Sequence, residues 1–169
     1  MIFICSLAEL PHLASRVRPT HVISLLGDDP FPPTPASVAA DGHLKLQVHD
    51  INEPARGFIA PAANHIESLI DFADRWSRSG PMIIHCYAGV SRSTAAALTI
   101  LCRTNRGREA EAVRVLRAKA PHAYPNRRMV DLADRALNCD GRLIAAVSAM
   151  ALPDFLAPLQ VAELPAGLD

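Results

Sequence analysis

Short apolar runs and segments of helical periodicity follow one another along the chain. Continuous apolar runs of a few residues predict strands that are buried on both faces. A further run from Leu44 to Val48 alternates apolar and polar residues, so it predicts a strand with one buried face that ends at Asp50. The continuous runs lie at 2–5, 21–26 and 81–85.

Between these runs, apolar residues recur at the spacing of helices with a buried face. One such segment, 61–79, is expected to end at Gly80, and it connects two predicted strands in the manner of a right-handed parallel crossover. The order of elements therefore predicts an α/β fold with a central, mostly parallel sheet flanked by helices. The other helical segments are a short one between Leu7 and Pro19 and those at 93–102, 108–120, 126–137 and 141–150.

The length of 169 residues is typical of one domain, and we expect a single domain over 1–150 with a proline-containing tail over 151–169. The 17 basic side chains balance the 17 acidic ones, so no overall charge favours nucleic acid or an anionic membrane. Apolar runs are too short for a membrane span, and the first ten residues do not resemble a secretory signal. A cytoplasmic protein is expected.

The four cysteines have irregular spacing and form no CxxC pair, so neither a zinc site nor a disulfide framework is expected. No other metal site or cofactor is indicated. Cys5, Cys102 and Cys139 are interpreted as small core residues. One of them could trap an oxidised Cys86 as a disulfide if the two Cα atoms lie within about 7 Å.

The segment His85 to Ser93, HCYAGVSRS, stands where a predicted buried strand meets a predicted buried helix. Its short residues allow successive backbone N–H groups to converge on one point, and the helix adds the positive end of its dipole. The planar guanidinium of Arg92 can bind two oxygens of a phosphoryl group at once. Both features favour the thiolate form of a cysteine, so Cys86 is a candidate nucleophile beside an anion site.

This segment resembles the signature of the cysteine-dependent protein tyrosine phosphatase superfamily, HCx5R followed by Ser or Thr. The resemblance is to small bacterial-type dual-specificity-like phosphatases and extends over about residues 1–140, including Val48-His49-Asp50 and Pro125-Asn126. It implies a phosphatase fold with a phosphate-binding loop between a strand and a helix. It also implies hydrolysis of phosphate monoesters through a cysteinyl-phosphate intermediate.

By this resemblance, Cys86 is the nucleophile and the Ser93 hydroxyl donates to its thiolate, helping it to leave. His85 is expected to orient the loop. Asn126 is expected to brace the loop, and its position before a helical segment also suits an N-cap. The expected phosphate-binding residues are Tyr87, Ala88, Gly89, Val90, Ser91 and Arg92.

Related phosphatases carry a general-acid aspartate roughly 30 to 40 residues before the cysteine. Asp50 precedes Cys86 by 36 residues and follows a predicted strand at the sheet edge where ligands collect. Glu53, on the same loop, is the alternative acid. A turn residue bonded to its own backbone is the other interpretation of Asp50.

The neutral side chains of the loop favour a monoester over a polyphosphorylated lipid, because inositide-type relatives place lysines there. We therefore expect a phosphorylated protein or a small phosphomonoester as partner, with phosphotyrosine and, in a shallow pocket, phosphoserine or phosphothreonine. A rhodanese-like sulfurtransferase and a catalytically silent phosphate-binding protein remain alternatives. Arg127 and Arg128 either face solvent or line the cleft.

Overall fold

A five-stranded sheet runs through the computed structural model, which describes residues 1–154, 156 and 158–168. The strands are β1 (Ile2–Ser6), β2 (His21–Leu26), β3 (His43–Gln47), β4 (Met82–Cys86) and β5 (Ala162–Leu164), in the spatial order β3-β2-β4-β1-β5. Strands β1 to β4 are parallel to one another, and β5 is antiparallel to β1. The predicted mostly parallel α/β sheet is confirmed.

Helices cover both faces of this sheet. Within the described residues they are α1 (Leu10–Val17), α2 (Ala63–Arg75), α3 (Arg92–Thr104), α4 (Glu109–Lys119), α5 (Arg127–Ala136) and α6 (Arg142–Ser148), and a 3-10 turn lies at Ala40–Gly42. None of the helices in the described part of the chain combines the length and hydropathy that a bilayer span requires.

The continuous apolar runs form the buried strands because each face of the sheet has its own core. Ile84 faces the larger core, to which α2 to α6 contribute, whereas Ile83 faces the smaller core closed by α1. Successive side chains of a strand point to opposite faces, so the side chains of β4 are buried on both faces, and its polar residue His85 is hydrogen-bonded to Ser24. This explains why the central strand contains no alternating pattern.

Helix α2 is shorter than the predicted 61–79, and its expected end at Gly80 is wrong. The helix ends at Arg75, and Trp76 has extended backbone angles. Trp76 nevertheless stays buried, and its indole Nε1 donates to the carbonyl of Gly80 at 3.0 Å. The apolar periodicity therefore continues for one residue beyond the helix because that side chain packs without being helical.

The tail contributes a strand that its sequence did not predict. Ala162 and Leu164 of β5 are buried while Glu163 is exposed, and the strand pairs with β1 along the edge of the sheet. The division of the chain at residue 150 stays a prediction. Residues 155, 157 and 169 of the tail lie outside the described residues.

Two strands deliver the candidate chemistry to one edge of the sheet. Strand β4 ends at Cys86, and β3 ends at Gln47, two residues before His49 and three before Asp50. Both strands are parallel to β2, which lies between them, so their carboxyl ends lie at the same edge.

Candidate active site

The loop between β4 and α3 is held tightly against the end of β1. Gly89 has a φ of 77°, and a Cβ at this position would lie 2.8 Å from the carbonyl carbon of Cys5. A side chain is thus excluded both by the backbone conformation and by the close approach of β1.

Two carbonyl groups of this loop accept backbone hydrogen bonds from other segments of the chain. Tyr87 accepts from the backbone N–H of Leu7 at 3.0 Å, and Val90 accepts from that of Tyr124 at 2.9 Å. By contrast, the N–H groups of residues 88–91 form no hydrogen bond within the described residues. A run of free N–H donors on one turn is suited to binding an anion.

Cys86 lies at the base of this turn, buried at 2% exposure. Its Sγ is 3.2 Å from the Oγ of Ser93, which is also fully buried on the first turn of α3. When the thiol is ionised, the hydroxyl is the only possible donor in this pair. The serine can therefore stabilise a thiolate.

Arg92 begins α3 and is 7% exposed. One terminal nitrogen donates to the carbonyl of Val48 at 2.8 Å, which ties the guanidinium to the end of β3. Its Nε is buried, has no hydrogen-bond partner among the described residues, and lies 4.0 Å from Oδ2 of Asp50. Donors of the guanidinium thus remain available to a bound anion.

Asp50 contacts the same loop through its carboxyl group. Its Oδ1 accepts from the Ser91 hydroxyl at 2.6 Å and from the Asn126 side-chain amide at 2.8 Å. The amide oxygen of Asn126 in turn accepts from the backbone N–H of Met129 at 3.0 Å, as the predicted N-cap of α5 would. Both ends of the Asn126 amide are therefore oriented by partners.

Glu53 is not brought to the turn between β4 and α3. It is exposed on the loop after Asp50 and forms no hydrogen bond or ion pair with any described residue. Asp50 stays close to the turn because Val48, two residues before it, is bonded to Arg92. The chain is exposed at residue 53, so Glu53 has no such tether.

His85 is fully buried behind Cys86. Its Nε2 lies 2.6 Å from the hydroxyl of Ser24, which is also 2.8 Å from Nε2 of His43. Burial lowers the pKa of His85 to about 4 despite a bond to the backbone of Cys86, and burial likewise lowers the pKa of His43 to about 4. Both rings are therefore neutral at pH 7, and the pair anchors β4 to β2 and β3.

A cavity of about 430 Å³ opens beside Asp50. Tyr124, which sequence reasoning missed, lines it; the adjacent Pro125-Asn126 was the available signal. The cavity is lined by Asp50, Asn52, Val90, Ser91, Tyr124, Pro125, Asn126 and Arg127.

The remaining cysteines are buried free thiols, as the core interpretation predicted. Burial raises the pKa of Cys102 and of Cys139 to about 12 and raises that of Cys5 as well. Cys5 pairs with His85 in the β1–β4 register and belongs to the smaller core, whereas Cys86 belongs to the larger one. Across the described residues, no three His, Cys, Asp or Glu side chains are grouped so that they could hold a metal ion.

Comparison with known proteins shows related sequences and a shared fold, although no family model matches the chain. It is 28% identical over 109 residues to MAP kinase phosphatase with leucine-rich repeats protein 3 of Dictyostelium discoideum, covering 63% of this chain and 11% of that protein. It is 27% identical over 122 residues to dual specificity protein phosphatase 12 of Mus musculus, covering 72% of this chain and 34% of that protein. The chain thus spans about a third or less of the length of these relatives.

Solved structures extend the likeness to most of the chain. The crystal structure of DUSP15 superposes with a TM-score of 0.63 at 19% identity, covering 89% of this chain and 92% of that one. That of human DUSP28 superposes with a TM-score of 0.60 at 19% identity, covering 82% and 92%. At these identities, the two structures share the fold with this chain.

Proposed function

We propose that this chain, a member of the cysteine-dependent protein tyrosine phosphatase superfamily, hydrolyses phosphate monoesters through a cysteinyl-phosphate intermediate. The observation that carries the proposal is the turn after β4, where the Cys86 thiol, the free N–H groups of residues 88–91 and the guanidinium of Arg92 come together. The names of the related sequences, which are phosphatases, support the same reaction class.

In the first step, the free N–H groups and Arg92 bind the oxygens of the phosphoryl group. The Cys86 thiolate attacks phosphorus, an S–P bond forms, and the P–O bond to the leaving group breaks. Charge that develops on the phosphoryl oxygens is met by donors that are already in place, so little reorganisation is needed.

The leaving oxygen needs a proton, which we assign to Asp50. Oδ1 of Asp50 already accepts from Ser91 and Asn126, so the proton is carried by Oδ2. These two bonds hold the carboxyl group at the rim of the turn, where it can meet a leaving group that points away from Cys86.

In the second step, the Asp50 carboxylate accepts a proton from a water molecule that attacks phosphorus. The S–P bond breaks, inorganic phosphate leaves, and the electron pair returns to sulfur. The Ser93 hydroxyl, 3.2 Å from Sγ, stabilises the departing thiolate. The neutral, buried His85 joins β4 to β2 through its bond to Ser24 and takes no proton in either step.

The substrate class we propose is a phosphorylated protein or a small phosphomonoester, with phosphotyrosine and, in addition, phosphoserine or phosphothreonine. The side chains of residues 87–91 carry no positive charge that would select extra phosphates. A cytoplasmic setting, which keeps thiols reduced, suits a reaction that depends on a free Cys86.

The experiment is hydrolysis of p-nitrophenyl phosphate and of phosphotyrosyl and phosphoseryl peptides by the wild-type chain and by Cys86→Ser. We expect turnover in the wild type and a loss of at least about a thousandfold in the variant, because its hydroxyl is a far weaker nucleophile than a thiolate. Cys102→Ser is the matched control, because that buried thiol lies in a helix outside the turn.

Three outcomes would contradict the proposal. Cys86→Ser activity within tenfold of the wild type would exclude a cysteinyl-phosphate intermediate. Sulfur transfer from thiosulfate to cyanide without phosphate release would identify a sulfurtransferase instead. Phosphopeptide binding with no turnover in the wild type would identify a catalytically silent binding protein.

A further inference from the structure

The 430 Å³ cavity beside Asp50 extends the candidate active site on the side of the leaving group. Val90 and Ser91 of the turn line it together with residues 124–127, and the backbone N–H groups of Tyr124 and Asn126 donate to the carbonyls of Val90 and Ser91 at 2.9 and 3.3 Å. Because Asp50 lies in the same cavity, the part of a substrate beyond the scissile oxygen would lie against these joined walls.

The two charged residues that line the cavity differ in their hydrogen bonding. Asp50 accepts hydrogen bonds from Ser91 and Asn126, as described above. Arg127, the other charged residue that lines the cavity, is exposed and forms no hydrogen bond or ion pair with any described residue. Asp131, one helical turn further along α5, lies beyond 4.0 Å from its guanidinium nitrogens.

The neighbouring Arg128 is committed elsewhere. Its Nε donates to the carbonyl of Pro61 at 2.6 Å, and its backbone N–H donates to the side-chain oxygen of Asn52 at 3.3 Å. These bonds tie the start of α5 to the loop that follows Asp50. Arg128 is therefore part of the scaffold, and Arg127 is the cation that the cavity offers to a ligand.

The backbone position of Arg127 relative to Asp50 is set by the hydrogen bonds of its neighbours in the sequence. It directly follows Asn126, whose side chain caps α5 and bonds to Asp50. Tyr124, 43% exposed, adds an aromatic surface next to it, and its backbone N–H is bonded to Val90 at 2.9 Å. A flanking group of the substrate would thus meet the exposed Tyr124 ring and the Arg127 guanidinium in the cavity that also contains Asp50.

We propose that Arg127 is a specificity-determining residue that binds a second anionic group of the substrate, next to the scissile phosphate. This inference rests on the proposed phosphatase function and deepens it. The anionic group is a carboxylate or a further phosphate, since a guanidinium binds both through paired N–H donors.

The test is a set of phosphotyrosyl peptides in which one residue, from three before to three after the phosphotyrosine, is Gln, Glu or phosphoserine. At one or more positions we expect wild-type kcat/KM to favour the anionic peptide over its Gln counterpart by about two- to fivefold, as for an exposed charge pair. Preference for Glu identifies a carboxylate ligand, and preference for phosphoserine alone identifies a second phosphate. The preference should shrink in high salt.

The variant Arg127→Gln should reduce that ratio to about one, and Arg127→Glu should make the Gln peptide better than the Glu peptide at the same position. Arg135→Gln, the matched control, removes an exposed arginine from the same helix and should keep the wild-type ratio. Each ratio is taken within one variant, so a change in overall activity does not affect it.

An equal kcat/KM for neutral and anionic peptides in the wild type would overturn the inference, and so would a preference that survives in Arg127→Gln. Failure of the wild type to hydrolyse any peptide or p-nitrophenyl phosphate is a different result. It would overturn the proposed function, and the inference with it.

Discussion

Asn126 donates its side-chain amide to Oδ1 of Asp50 at 2.8 Å, although the two residues are 76 positions apart in the sequence. The same amide caps α5 through its oxygen. One side chain thus joins the start of a helix to the carboxyl group that we propose as the general acid. Its two functions, capping and positioning, can be separated by substitution.

Asn126→Ser should keep the cap and lose the donor to Asp50, because a serine hydroxyl is a good N-cap acceptor but is too short to replace the amide. We expect the free energy of unfolding to fall by about 0.5 to 1 kcal/mol, because only the bond to Asp50 is lost. Asn126→Ala should lose about 1 to 2 kcal/mol, measured by urea denaturation.

Both variants should lower kcat/KM about tenfold for phosphoserine, which needs a well-placed acid, and less for p-nitrophenyl phosphate. The ratio of the two substrates distinguishes positioning from stability. A wild-type ratio in Asn126→Ser would show that the 2.8 Å bond does not position the acid.

Substitution of Asp50 tests the acid directly. The Asp50 carboxyl is proposed to protonate the leaving oxygen, so its loss should matter most for a substrate with a strongly basic leaving group. Asp50→Asn keeps an oxygen for Ser91 and Asn126 but carries no acidic proton. It should slow phosphoserine by about a hundredfold, with a much smaller loss for p-nitrophenyl phosphate.

Glu53→Gln is the control, since Glu53 lies on the same loop. If Glu53→Gln slows phosphoserine far more than p-nitrophenyl phosphate while Asp50→Asn keeps the wild-type ratio of the two substrates, the acid is Glu53.

Arg92→Lys should be a severe substitution despite keeping the charge. A lysine cannot bond to the Val48 carbonyl and at the same time present paired donors to a phosphoryl group. We expect kcat/KM to fall by about a hundredfold or more. Arg103→Lys, on the exposed side of α3, is the matched control and should stay within twofold. A loss below tenfold for Arg92→Lys would speak against transition-state binding by Arg92.

Acid should destabilise the fold through the histidines behind the site. The pKa of His85 is lowered from 6.5 to about 4 by burial, so the unfolded chain binds its proton first as the pH falls. The contribution of His85 to the free energy of unfolding is therefore complete above pH 6.5. It decreases by about 3 kcal/mol between about pH 6.5 and 4.

Urea midpoints between pH 7.5 and 5 would measure this loss in a window above most carboxyl titrations. His43→Gln should reduce the slope, because the pKa of His43 is lowered in the same direction by burial. His12→Gln, on the exposed side of α1, should leave it unchanged. A wild-type stability that is constant over this range would contradict the assignment of neutral, buried rings.

Patterns that are local in sequence predicted most of the architecture. The apolar runs located β1, β2 and β4 because both faces of each are buried, and the Cys86 turn was recognisable because its chemistry lies within nine consecutive residues. The contacts of Asp50 with Ser91 and Asn126 depend on how distant segments of the chain meet. The spacing of apolar residues in the sequence carries no information about such contacts.

The same limit explains the errors and omissions in secondary structure. Helix α2 ends at Arg75 because Trp76 packs in an extended conformation, which has the same apolar signature as one more helical residue. Strand β5 has three residues, too few to establish an alternating pattern without knowledge of its partner β1.

Strand β5 has a consequence for how the protein behaves in solution. Without it, β1 would be the border of the sheet and would present an almost entirely apolar row, Ile2 to Cys5, with unsatisfied backbone groups along one side. Such a border is a template for pairing between molecules. The short antiparallel strand occupies it and adds the charged Glu163 to the rim, so the fold carries its own protection against edge-to-edge aggregation.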